Sequence, residues 1–159
     1  MKGAIKNISI QGFKSIRELE PFTFNNLNVF IGANGAGKSN LVQLFRLLMA
    51  MTRKNLQQFI LENGGADSFL HNGPKQTEAI KVELEFQSHS SFAEDSNFYR
   101  FELTPTVDET FLVSEERKYM TTDWRSYGPP AHESSLYDER NERSADDRWH
   151  GVGYFVYES

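Results

Sequence analysis

Gly32, Ala33, Asn34, Gly35, Ala36, Gly37, Lys38 and Ser39 match G-x-x-x-x-G-K-[ST] at every required position. Each residue type has a chemical reason to be there. Glycines let the backbone turn its N–H groups inward as a concave nest for phosphate oxygens, and a following helix aims the positive end of its dipole at the same charge. Lys38 is placed to meet the β- and γ-phosphates of a nucleotide as a point charge, and the Ser39 hydroxyl to ligate a Mg²⁺ that bridges them. The expected ligands are therefore ATP and Mg²⁺, with Ser39 as the metal-binding residue. From average residue frequencies, a match of this kind arises by chance in a chain this long on the order of once in a hundred or less.

The motif has force only between a strand and a helix, and the flanking residues predict both. Residues 27–31 (Leu-Asn-Val-Phe-Ile) form a short apolar run that stops at Gly32, as a buried parallel strand would. After the loop, Leu41, Val42, Leu44, Phe45, Leu47, Leu48, Met49 and Met51 cover almost every side of a helix, which predicts that the helix is buried. A second short helix is expected to begin after Asn55, carry Leu56, Phe59 and Ile60 on one face, and end at Gly64-Gly65, with one more turn at residues 68–70.

The remaining elements read as strands. Ile5, Ile8 and Ile10 among polar residues predict a strand ending at Gly12, and Phe22 and Phe24 a second, giving an opening hairpin. Ile80, Val82, Leu84 and Phe86 alternate with Lys81, Glu83 and Glu85, which puts one face inward and one in water. Residues 98–103 and 111–113 are its expected partners in an antiparallel meander, joined by polar loops at 88–97 and 104–108. The fold class is thus α/β: a strand, phosphate loop and buried helix packed beside a mostly antiparallel sheet. Residues 114–150 are dense in charge and poor in aliphatic side chains, which reads as an exposed, mobile excursion. Residues 153–157 read as a terminal strand with almost nothing after it, so the chain is expected to be a portion of a larger head.

Composition narrows the function. At 159 residues the chain suits one domain, 1–159, divided into 1–113, 114–150 and 151–159. Its hydrophobic fraction of 38% is lean, but 13 Phe supply much of the bulk a core needs. A net charge of -5 argues against coating nucleic acid through overall basicity. Without cysteine there is no disulfide, thiolate metal site or cysteine nucleophile, which fits a reducing cytoplasm. No stretch approaches the ~18 apolar residues of a membrane span. His71, His89, His132 and His150 are widely spaced and read as surface or hydrogen-bonded side chains rather than a metal site.

Ile8-Ser9-Ile10-Gln11-Gly12-Phe13-Lys14-Ser15-Ile16, followed by the loop extended through Asn40, resembles the start of RecF/SMC-like ATPases of the ABC superfamily. The stretch from Glu62 through Asp67 to His71 and Gly73 is similar to bacterial AAA-family ATPases of that group. The resemblance implies an ATP-binding head that dimerises with a second head, works in the cytoplasm, and acts on DNA or in a defence complex with a DNA or protein partner. It also adds Asn40, Lys14 and Ser15 to the nucleotide-binding set, where the residues alone read Lys14 and Ser15 equally well as a solvated turn.

The departures from that family are specific. Asp108-Glu109 is the nearest match to the Asp-Glu pair that would hold Mg²⁺ and position water, but Thr104-Pro105-Thr106-Val107 before it is not a buried apolar strand, so the pair reads as a solvated turn. No Leu-Ser-Gly-Gly-like signature occurs. The catalytic residues are therefore not assigned within this chain, and whether it hydrolyses ATP stays open. Two other readings remain: a transporter-type ABC ATPase subunit, whose loop more usually ends Gly-Lys-Ser-Thr, and a non-hydrolysing nucleotide-binding module. A GTPase is disfavoured, because no Asn-Lys-x-Asp element occurs.

Overall fold

A computed structural model describes residues 5–87, 96–119 and 122–139. Strands β1 (Ile5–Phe13) and β2 (Ile16–Thr23) form the opening hairpin, and β3 (Ile80–Gln87), β4 (Ser96–Pro105), β5 (Phe111–Tyr119) and the short β6 (Arg125–Ser126) follow. They make one sheet in the order β2-β1-β3-β4-β5-β6, with every pairing antiparallel. Between β2 and β3 come the helices α1 (Lys38–Thr52) and α2 (Leu56–Glu62) and a 3-10 turn at Ala66–Phe69. A last short helix, α3, covers Leu136–Glu139.

The alternation of β3 sets the register of the sheet. Val82 pairs with Ile10 on one side and Phe101 on the other, and Leu84 likewise with Ile8 and Tyr99, so the apolar positions of three strands share one face. Against that face pack Leu44, Leu47, Leu48 and Met51 of α1, Leu56 and Ile60 of α2, and Phe69. Each such side chain contributes roughly 1.5–3 kcal/mol on burial. The second helix ends as its glycines require, with Gly64 at φ 100° and Gly65 at φ 74°.

Several expectations give way. Residues 27–31 are not a buried strand: Leu27 is 81%, Val29 72% and Ile31 92% exposed. The reason is pairing. A parallel strand needs hydrogen-bonded neighbours, and no strand among the described residues lies beside this one, since both ends of the sheet are formed by β2 and β6. Accordingly α1 is not covered on all sides, and Val42 stands exposed. Strand β2 begins at Ile16 and ends before Phe24, because the tight turn at Lys14 and Ser15 lets pairing start at once. Similarly β4 begins at Ser96, inside the expected loop, and runs to Pro105, whose missing N–H matters little at the last pair before the turn.

The exposed reading of 114–150 fails at 115–119 and 133–137, where side chains are buried or half-buried, while most of 122–132 is exposed. Strand β5 continues to Tyr119, where Glu116, Arg117 and Lys118 alternate along its pairing with β4. Beyond β6, Ala131 exchanges two backbone hydrogen bonds with Val113, and both Ser134 and Leu136 are buried. The buried Glu115 carboxylate holds them, accepting from the Tyr99 hydroxyl at 2.5 Å, from the Ser134 hydroxyl, and from the Ser135 N–H at 2.8 Å. A charged residue in the pattern hid this packing, because a buried carboxylate is tolerated only where donors meet it. Residues 140–150 and the strand expected at 153–157 lie outside the described residues.

Candidate nucleotide-binding site

The chain leaves β2 and reaches α1 through residues 24–37, and aromatic side chains fix its path. Phe30 packs on Phe22 with ring centroids 5.4 Å apart, and Phe24 on Phe45 of α1 at 6.1 Å. Asn25 and Asn28 close the turn between them, the Asn25 N–H donating to Asn28 Oδ1 and Asn28 Nδ2 to the Asn25 carbonyl. The glycine-rich loop of residues 32–37 is thus delivered to the start of α1.

The loop has the conformation its glycines permit. Gly35 has φ 86° and Gly37 φ 93°, a region that other residues rarely adopt. A Cβ at Gly35 would meet nothing within 4 Å, so the loop opens there onto free space. Gly37 caps α1 by backbone alone: the Leu41 N–H donates to its carbonyl at 3.0 Å, no side chain caps the helix, and its first turn carries no acidic residue. The first-turn N–H groups are therefore left to an external acceptor, which an anion satisfies best.

Lys38 folds back over this loop. Its ammonium donates to the carbonyls of Gly32 and, at 2.8 Å, Ala33. Ser39 is exposed on the first turn of α1. Its hydroxyl is one hard oxygen donor, which suits Mg²⁺, an ion that usually takes few protein ligands and completes its shell with phosphate and water. Among the described residues no group of three or more His, Asp or Glu side chains gathers as an independent metal site.

The structure separates the two residues of the β1–β2 turn. Ser15 lies against the loop: Asn40 Nδ2 donates to its hydroxyl at 2.7 Å, and a Cβ at Gly37 would stand 3.6 Å from that oxygen and 3.2 Å from Ile16 Cγ1. Lys14 turns the other way. Its ammonium donates to the Ser68 carbonyl at 3.2 Å and sits 4.2 Å from the centroid of the Phe69 ring, where burial lowers its pKa. Ser15, Gly37 and Asn40 come together; Lys14 is held by the 3-10 turn. Asp108 and Glu109 occupy the exposed turn between β4 and β5, as a solvated pair would.

One residue in this neighbourhood was given no role of its own by the sequence, although it lies in the family-like stretch from Glu62 to Gly73. His71 reads there only as a surface or hydrogen-bonded side chain, yet its Nδ1 lies 2.7 Å from the Lys14 carbonyl, 57 positions back in the chain. No spacing rule links a histidine to a backbone oxygen so far away.

Residues 1–147 match the AAA ATPase domain family. Over 115 residues, 68% of this chain and 9% of that protein, the sequence is 33% identical to Structural maintenance of chromosomes protein 3 of Arabidopsis thaliana. It is 38% identical to Chromosome partition protein Smc of Myxococcus xanthus over 80 residues, 49% of this chain and 6% of that one. A third relative, Urease accessory protein 2 of Cryptococcus neoformans, is 35% identical over 74 residues, 42% of this chain and 6% of its own. The aligned part spans less than a tenth of each of these relatives.

Proposed function

Because the chain belongs to the AAA ATPase domain family, as an N-terminal region of SMC/RecF-like type, we propose that residues 32–39 bind Mg·ATP. The observation that carries this reading is the start of α1, where a helix without side-chain cap or acidic first turn follows two glycines of positive φ. In this role Lys38 holds the β- and γ-phosphates, Ser39 holds the Mg²⁺, and the loop N–H groups bind phosphate oxygens. Asn40 and Ser15 shape the loop from the side, and Lys14 contributes by fixing the turn that carries Ser15.

Holding phosphates does not hydrolyse them, since turnover also needs an oriented water and neutralised charge. We assign those tasks to residues beyond the ones described, with a second head completing the site. The exposed apolar run at 27–31 supports this, because it is a strand in sequence without a neighbour. Likeness to the chromosome proteins above supports a role for the parent protein in DNA maintenance inside the cell, and a defence complex is the alternative that the family resemblance implies.

Calorimetry with Mg·ATP and Mg·ADP tests the binding step. Binding that disappears in Lys38→Ala is expected; no binding at millimolar nucleotide would overturn the reading. Phosphate release by the same protein tests the second step, and turnover that vanishes in Lys38→Ala would place the missing carboxylate within this chain.

A further inference from the structure

Lys14 has φ 50° at the first position of a two-residue hairpin turn. Such positions favour glycine or asparagine, and another residue persists there only when its surroundings over-determine it. Residues 68–71 supply that constraint. The Lys14 N–H donates to the Phe69 carbonyl at 2.8 Å, its ammonium contacts Ser68 and Phe69, and its carbonyl accepts from His71 at 2.7 Å.

The last contact differs from the others in what it controls. A carbonyl and the N–H that follows it share one rigid plane, so a bond to the Lys14 oxygen also orients the amide of Ser15. The Ser15 hydroxyl in turn meets Asn40 and faces Gly37. His71 is itself well fixed: its N–H donates to the Gly12 carbonyl at 2.9 Å, its carbonyl accepts from Thr77 Oγ1 at 2.5 Å, and its Nε2 lies 3.1 Å from Asn72 Nδ2. Since a carbonyl only accepts, Nδ1 carries a proton, and Nε2 faces the Asn72 amide.

We propose that His71 is a positioning residue for the phosphate loop, holding Ser15 against Gly37 and Asn40 through the Lys14 carbonyl while touching no nucleotide itself. This rests on the reading of residues 32–39 as the nucleotide site.

The test compares His71→Ala, His71→Gln and His71→Asn in the full chain. Asparagine places an amide N–H near the position of Nδ1, whereas glutamine reaches toward that of Nε2 and keeps the bulk without the bond. We expect Mg·ADP affinity to fall on the order of tenfold in the Ala and Gln variants. In the Asn variant it should recover to within about threefold of the parent. Adding Ser15→Ala to His71→Gln should cost no more than about twofold further, because both act along one path. Unchanged affinity in His71→Gln, or equal losses in the Gln and Asn variants, would overturn the proposal. A second readout needs no nucleotide: amide exchange at Leu41, whose N–H is bonded to the Gly37 carbonyl at 3.0 Å, should quicken in His71→Gln and return in His71→Asn. If the parent protein binds no nucleotide, the site reading fails, and the exchange result alone decides whether His71 orders the loop.

Discussion

Asn40 Nδ2 donates to Ser15 Oγ across 2.7 Å, tying the first turn of α1 to the β1–β2 hairpin 25 positions earlier. The bond joins two layers of the protein at the phosphate loop, since β1 and β2 belong to the sheet and Asn40 to the helix beneath it. Both side chains remain partly accessible, so the link is worth more as geometry than as stability.

Asn40→Ala removes that link. A neutral hydrogen bond contributes about 0.5–1.5 kcal/mol, so Mg·ATP affinity is expected to weaken by about two- to tenfold. Calorimetry measures it, and thermal melting without nucleotide should change little. Unaltered affinity would show that the Ser15 contact does not reach the ligand.

Ser39→Ala separates the metal from the phosphate cradle. The parent protein should bind ATP more tightly with Mg²⁺ than in a chelator, because the hydroxyl gives the ion a protein ligand. In Ser39→Ala the two affinities should converge, with binding in chelator preserved. An undiminished Mg²⁺ effect would take Ser39 out of the metal site.

Glu115 is the carboxylate on which the 131–136 segment depends. Its replacement by Ala leaves the Tyr99 and Ser134 hydroxyls and the Ser135 N–H without their acceptor. Because bonds to a charged group are worth about 1.5–3 kcal/mol each and are not additive, we expect a loss of about 3 kcal/mol in urea unfolding. A loss below about 0.5 kcal/mol, the range of an ordinary surface substitution, would show that the segment does not depend on this carboxylate.

Tyr99 carries the alkaline counterpart of the same network. Burial first, and then the Glu115 carboxylate, raise its pKa well above the ordinary phenol value. Its contribution to stability is intact below about pH 10, where the phenol is neutral in both states, and is lost above it as only the unfolded chain ionises. Unfolding free energy measured from pH 8 to 11 should therefore fall more steeply in the parent than in Tyr99→Phe. Equal slopes would refute the shift.

Ile31→Lys probes the apolar run at 27–31. At 92% exposure the side chain contributes little to folding, so the melting free energy should move by no more than about 0.5 kcal/mol. Sedimentation should show less self-association, since a row of exposed aliphatic side chains favours contact between molecules. A loss of several kcal/mol would mean that the run is covered after all.

Local chemistry determined what could be read from the sequence alone. The motif at residues 32–39 is contiguous, and its residue types are those that the shape and charge of phosphate would require, so the expectation of a nucleotide site at Gly35, Gly37, Lys38 and Ser39 needs no fold. The period-two pattern of Ile80, Val82, Leu84 and Phe86 likewise announces a half-buried strand, and Gly64-Gly65 the end of α2. Tertiary structure decided the features that depend on a distant partner. Residues 27–31 have the composition of a buried strand, but burial requires neighbouring strands, and a single run cannot state whether it has them. Glu115 reads as a solvated charge until Tyr99, Ser134 and Ser135 surround it. Lys14 and Ser15 are adjacent in sequence, yet the turn sends one side chain to Phe69 and the other to Asn40, because consecutive residues in a tight turn diverge. His71 meets the Lys14 carbonyl only because residues 69–71 pair beside the end of β1, and backbone oxygens, being present at every position, leave no mark in a sequence.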